Sequence, residues 1–325
     1  MGELAGKTIR SGAAAALLAE YRQRERMQAG SLLVSIFGDS VVPRGGRIWL
    51  GSLIRLLEPL GLNERLVRTA VFRLVKSDWL LSERVGRRTD YLLSTAAARR
   101  IEEAAGLIYA ATAPAWDRRW RLMLLVGEVG LKERERLRKA LSWHGFGMLN
   151  NDCFIHPNAD LHAAMDALAA EGLAELSERL KPLLAADVSM GAALTDRAMV
   201  AAAWDLEALA ADYHAFVRRF EPVLDELRAS AGGLDGELAF QMRLLLIHDY
   251  RHLLLRDPVL PDVLLPLAWP GQQARSLCGE LYRRLLPAAE RYLDSMLQLA
   301  DGERPLPQAG LFERFRDADA LALCS

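Results

Sequence analysis

The strongest constraint on this chain lies in residues 31–93, where three short helical patterns are followed by two strand-like runs around a basic loop. Leu32, Leu33, Ile36 and Phe37 recur at helical spacing, with Ser31 as a candidate cap. Pro43, Gly45 and Gly46 then break the pattern. Trp49, Leu50, Leu53, Ile54 and Leu57 form the apolar face of a second helix, which Pro59 and Gly61 end. Asn63 can cap a third helix running from Glu64 to about Ser77. On that helix Leu66, Ala70, Val71 and Leu74 can face a core, while Arg65, Arg68, Thr69, Phe72 and Arg73 fall largely on the other side. Trp79–Glu83 and Thr89–Leu93 are strand-like and flank Arg84-Val85-Gly86-Arg87-Arg88, which predicts a hairpin with arginines at its tip. Ser94 or Thr95 can cap a further helix, Ala96 to about Ala110. This order suits a winged helix-turn-helix domain over residues 31–112, with residues 1–30 as an N-terminal arm.

Charge sharpens that reading. The net charge of the whole chain is -1, but residues 31–100 carry twelve Arg/Lys against six Asp/Glu, and residues 101–325 are net acidic. A basic front module points to an anionic partner. Arginine forks match guanine edges and phosphates, and threonine serves a phosphate or a thymine methyl. The candidate DNA contacts are therefore Arg65, Arg68, Thr69 and Arg73 on the third helix, Arg84, Arg87 and Arg88 on the wing, and Arg44 in the preceding turn.

The rest of the sequence narrows the field. Apolar runs such as Leu122–Val126 and Leu244–Ile247 are far shorter than a bilayer span. The short run Ala13–Ala19 is followed at once by charged residues, which favours a surface helix or loose arm over a leader. Cys153, Cys278 and Cys324 are odd in number and widely spaced, so neither a disulfide framework nor a zinc site is expected and a reducing, cytoplasmic setting fits.

In residues 113–195, Trp120–Val126 suits a buried strand, Leu131 to about Trp143 an amphipathic helix, Gly145–Leu149 and Cys153–His156 a pair of strands, and Leu161–Ala170 a helix. That β-α-β-β-α order suits a ferredoxin-like fold. A metal-dependent nuclease needs clustered carboxylates; Asp117 and the turn residue Asp152 make a poor case, and a dimerisation scaffold is preferred. Residues 196–300 read as a helical domain: Trp204 to Phe220 follow a helical core pattern up to Pro222, Phe240–Leu255 makes a second long helix, and a third ends near Leu297 with Pro287 as a possible kink. The tail 301–325, with Pro305, Pro307 and Gly310, reads as loose. His248 and His252 stand at i, i+4, but no third metal ligand is evident. The expected class is α+β, mostly helical.

Several strings carry a family resemblance. Phe37-Gly38-Asp39, Pro43-Arg44-Gly45-Gly46, Trp49-Leu50-Gly51-Ser52-Leu53-Ile54, Glu64 through Leu74, Trp116-Asp117-Arg118-Arg119-Trp120, Trp143-His144-Gly145-Phe146-Gly147, Leu245 through Arg251, and Leu281 through Pro287 together resemble the PaaX family across roughly residues 30–295. That family consists of repressors of phenylacetic acid degradation operons. The resemblance implies a homodimer on a palindromic double-stranded operator, with phenylacetyl-coenzyme A as inducer; a different acyl-CoA or aromatic acid is the alternative effector. It also implies a middle domain that finishes in strands, where Ala174–Ala193 reads as helix-like, and His252 stands where the family more often carries arginine.

An acyl-CoA needs cations for its phosphates and an apolar pocket for its acyl group. The candidate effector residues are Arg243, His248, Tyr250, Arg251, Arg256, Trp269 and Tyr282. Each arginine taken alone could instead serve a structural salt bridge. An enzyme acting on acyl-CoA thioesters is the competing class, but the chain has no Gly-x-Ser-x-Gly string. No catalytic residue, metal or cofactor is expected.

Overall fold

The computed structural model describes residues 12–23, 29–186, 195–230, 232 and 234–316. Cys324, the ends of the arm and tail, and the last part of Ala174–Ala193 lie outside the described residues. The fold is mostly helical with two small sheets. The chain divides into two compact units, residues 1–111, 215–251 and 273–325 in the first, residues 112–214 and 252–272 in the second. The boundary near residue 112 coincides with the one read from the sequence, whereas those at 195 and 300 do not, because most of the C-terminal helical segment groups with the N-terminal residues.

The first unit opens with α1 (Ala13–Gln23), which buries Ala14, Leu17, Leu18 and Tyr21. Helix α2 (Ala29–Ile36) begins two residues before Ser31, so Ser31 is not its cap. A π-helical turn, Phe37–Val41, and a 3-10 turn, Val42–Arg44, follow. Next come β1 (Arg47–Trp49), α3 (Leu50–Leu57), α4 (Glu64–Lys76), β2 (Leu80–Val85), β3 (Arg88–Leu93) and α5 (Thr95–Ile108). The strands make an antiparallel sheet in the order β1-β3-β2. Trp49, expected on a helix face, ends β1 opposite Asp90.

Two local devices set α4 and the hairpin. Asn63 caps α4 by accepting the Leu66 N–H at 3.0 Å. Val85 pairs with Arg88 across the two-residue loop Gly86-Arg87. Gly86 has φ 61°, a left-handed value that glycine adopts without steric cost at the first loop position. Replacing Asn63 by alanine is expected to cost about 1 kcal/mol, read as a lower urea midpoint with an unchanged slope.

In the second unit, β4 (Arg119–Leu125), α6 (Leu131–Trp143), β5 (Gly147–Asn150), β6 (Cys153–His156), α7 (Leu161–Leu168), α8 (Ala174–Ser177) and β7 (Leu180–Ala186) follow in order. The sheet runs β5-β6-β4-β7, antiparallel throughout. Met123 and Leu125 of β4, Phe154 of β6, Leu137 and Leu141 of α6, Leu168 of α7 and Leu180 of β7 share one apolar core. The Ala/Leu-rich stretch read as helical is thus corrected: among its described residues Ala174–Ser177 is helix and Leu180–Ala186 is an edge strand. Pairing with β4 overrides the local helix preference, and Pro182 is tolerated because the strand is at the sheet edge.

His156 closes this core as a neutral ring. Its Nδ1 accepts the N–H groups of Asn158 and Ala159 at 2.9 and 2.7 Å, and burial pushes the imidazole down to about 4. The unfolded ring titrates near the ordinary ~6.5. Stability is therefore complete above that value, and it falls as the pH drops towards about 4, because only the unfolded chain takes up the proton. The loss reaches up to about 3 kcal/mol. His156→Gln should flatten the pH dependence of the unfolding free energy in that window.

Three long helices complete the chain: α10 (Leu206–Ala229), preceded by the short α9 (Asp196–Ala203), then α11 (Gly236–Leu254) and α12 (Pro270–Met296). Pro222 does not end α10, and Pro287 lies inside α12. Within residues 301–316, read as a loose tail, Leu311 and Phe315 are buried, and Phe315 N–H donates to the Tyr109 carbonyl at 3.0 Å. No described helix is long and apolar enough to cross a membrane.

Candidate nucleic-acid interface

Helix α4 sorts its side chains by face. Val67, Ala70 and Val71 are buried, while Arg65, Arg68, Thr69, Phe72, Arg73 and Lys76 are exposed. Leu66, expected in the core, is 47% exposed, and Val67 takes its place. Arg68 pairs with Glu64 one turn back at 2.6 Å, with both side chains open to solvent. The Thr69 hydroxyl donates to the Arg65 carbonyl at 2.8 Å. Arg65, Arg73 and Lys76 project cationic groups from an exposed surface. Lys76, eleven positions from Arg65, belongs to the same stripe and was legible from helical spacing.

The hairpin presents Arg84, Arg87 and Arg88, all exposed. Arg84 Nε donates to the Gly86 carbonyl at 3.1 Å. Arg88 is partly committed, since its guanidinium lies 4.4 Å from the Trp49 ring centre. Behind the hairpin, the segment after α12 stitches it in place. Asp90 accepts the Ala300 N–H at 2.7 Å, Trp49 N–H donates to the Gln298 carbonyl at 3.1 Å, and Gln298 N–H donates to Ser52 Oγ at 3.0 Å. Burial pushes the Asp90 carboxyl up from its ordinary value. These braces escape sequence reading because the partners lie about two hundred residues apart.

Arg44 is in a different situation from the other arginines. It is 2% exposed, paired to Glu290 at 2.6 Å and Asp294 at 2.7 Å, and it donates to the Pro305 carbonyl at 2.9 Å. A phosphate cannot reach a guanidinium enclosed in this way, so the expectation that Arg44 touches DNA is corrected. Its neighbours form a buried network. Arg243 pairs with Asp39 at 2.9 Å and Glu290 at 2.5 Å. Asp39 also accepts from the Tyr109 hydroxyl at 2.9 Å and from Arg314 at 3.2 Å, and Arg314 donates to the Tyr282 hydroxyl at 2.9 Å. Burial opposes the Arg243 charge, but Asp39, Tyr282 and Glu290 outweigh it and hold the guanidinium above its usual range. Burial and the Asp39 charge likewise hold both tyrosines protonated.

The candidate effector residues do not converge as a group. In the first unit, Arg243 and Tyr282 belong to that network, His248 Nδ1 lies 2.9 Å from Ser35 Oγ, Tyr250 packs against Phe216, and Arg251 donates to Ser31 Oγ at 2.7 Å. In the second unit, Arg256 pairs with Asp212, and Trp269 meets Tyr213 edge-on. The second unit also holds a cleft of about 520 Å³ lined by Trp116, Arg118, Arg197, Val263 and Leu264 among others, none of them among the candidate effector residues. Among the described residues no cluster of His, Cys, Asp and Glu could hold a metal ion.

A module of three helices and a basic hairpin, braced by C-terminal helices, defines a chain that exposes cations on α4 and on the adjacent hairpin. Family models match in three successive parts: "PaaX-like protein" over residues 28–97, "PaaX protein central Cas2-like domain" over 113–186 and "PaaX-like protein C-terminal domain" over 204–295. The chain is 40% identical over 285 residues to the transcriptional repressor PaaX of Escherichia coli K12, covering 88% of this chain and 89% of that one. It belongs to the PaaX-like protein family. A solved structure of an uncharacterized protein from Mycobacterium tuberculosis aligns with a TM-score of 0.47 at 22% identity, over 74% of this chain and 89% of that chain.

Proposed function

We propose that this protein is a DNA-binding transcriptional repressor of aromatic-acid catabolic genes, those for phenylacetate foremost, and a regulator rather than an enzyme. The observation that carries this is the exposed cationic face of α4 beside the arginine-tipped hairpin, in a chain 40% identical to a repressor over 88% of its length. In this reading residues 29–108 form a winged helix-turn-helix domain. Helix α4 enters the major groove, and β2 and β3 form the wing. Arg65, Arg68, Thr69 and Arg73 meet bases and phosphates, and Arg84, Arg87 and the partly committed Arg88 follow the backbone. In the second unit, the strand order β5-β6-β4-β7 with two crossing helices supports a ferredoxin-like middle domain.

The repressor works in the cytoplasm as a homodimer on a palindromic operator. An aryl-acyl-CoA such as phenylacetyl-CoA releases it by binding the non-operator conformation more tightly. A tenfold change in operator affinity requires only about 1.4 kcal/mol of coupling. The test is binding of the purified protein to its own promoter DNA, with and without phenylacetyl-CoA, at fixed salt. Tight binding weakened by the thioester is expected. Tight binding indifferent to it redirects the search to other acyl-CoA esters, and absence of sequence-specific binding overturns the repressor reading.

A further inference from the structure

Phe72 is the most exposed large apolar side chain of α4. It is 68% exposed, although a phenyl ring in water forfeits most of what burial would give it. At helical spacing it stands on the exposed face, with Arg68 and Lys76 one turn away and Arg65 two turns away on the same stripe, and Thr69 and Arg73 towards one flank. Cationic side chains thus outnumber the single carboxylate of that face, Glu64, which pairs with Arg68. That charge pattern excludes a lipid-like or apolar protein surface as the natural cover and fits a polyanion. A duplex offers the middle of such a face one apolar group in its major groove, the C5 methyl of thymine. Arginines at the edge of the face reach phosphates or guanine, while the centre of the face lies deepest in the groove.

We infer that Phe72 packs on a thymine methyl and so determines sequence specificity, requiring an A·T pair under the centre of α4 in each half-site. This rests on α4 being the DNA-reading helix. A methyl lost from a buried apolar contact is worth about 0.8 kcal/mol, close to fourfold in affinity.

The experiment uses the full chain and its own promoter fragment, with each thymine of the protected region replaced in turn by uracil. Uracil keeps the base pair and removes only the methyl. Wild type should lose about fourfold at one thymine per half-site. Phe72→Ala should bind more weakly and show no further loss at that uracil, while Phe72→Leu retains the sensitivity. If wild type binds the promoter but ignores every uracil, or Phe72→Ala keeps the wild-type uracil profile, this inference falls and the repressor reading survives. If wild type does not bind the promoter at all, both fall. Sedimentation of Phe72→Ala covers the remaining occupant: conversion of a dimer to a monomer, with equal loss on all DNA sequences, would make the ring a contact between copies and overturn the inference.

Discussion

Arg68→Ala combined with Arg73→Ala is expected to weaken promoter binding by at least a hundredfold at physiological salt while leaving the unfolding transition in place. A guanidinium engaged bidentately with a base is worth about 1–3 kcal/mol of discrimination, and each lost phosphate contact also lowers the salt slope by about one. The protein's own use of these groups is small. Arg68 pairs with Glu64 on an exposed helix surface, an arrangement worth a few tenths of a kcal/mol, and Arg73 is exposed. Binding and stability should therefore separate. Salt-dependent titrations read the first and urea melts the second. Wild-type affinity with a wild-type slope in the double variant would show that DNA does not use this face of α4.

Arg243→Ala is expected to cost about 3–5 kcal/mol of stability, because it strands buried carboxylates. Asp39 and Glu290 are almost fully enclosed, and Arg243 lies between them. The loss would spread beyond one pair. Asp39 sits in the π-helical turn that follows α2, whereas Arg243 and Glu290 sit on α11 and α12, so the network fastens the N-terminal helices to the C-terminal helices within the first unit. A coincident drop in urea midpoint and in promoter affinity is expected for Arg243→Ala. Asp39→Asn, which keeps an oxygen acceptor for Tyr109 but removes the charge, gives a second reading of the same network. Unchanged midpoints in both variants would mean that the buried charges contribute nothing net.

These two arginines mark where the sequence is informative and where it is not. Arg68 was legible because everything that exposes it is local: Asn63 starts the helix, Val67, Ala70 and Val71 define its buried side, and helical spacing puts Arg68 on the other. The hairpin was legible for the same reason, since Gly86 supplies the turn and the flanking strands pair in immediate register. The strand and helix order of the second unit up to Leu168 was readable from periodicity. β7 was not, because only pairing with β4, some sixty residues earlier, turns an Ala/Leu-rich stretch into a strand. Arg44 looks like a turn arginine free for a phosphate, yet Glu290 and Asp294 enclose it from about 250 residues away. By itself the sequence determined which cationic side chains α4 and the hairpin expose, because caps, turns and amphipathic spacing act within a few residues. Which charges are buried, and which C-terminal helices support that surface, was decided only by the tertiary structure, because a buried charge is stable only where the fold delivers its partner.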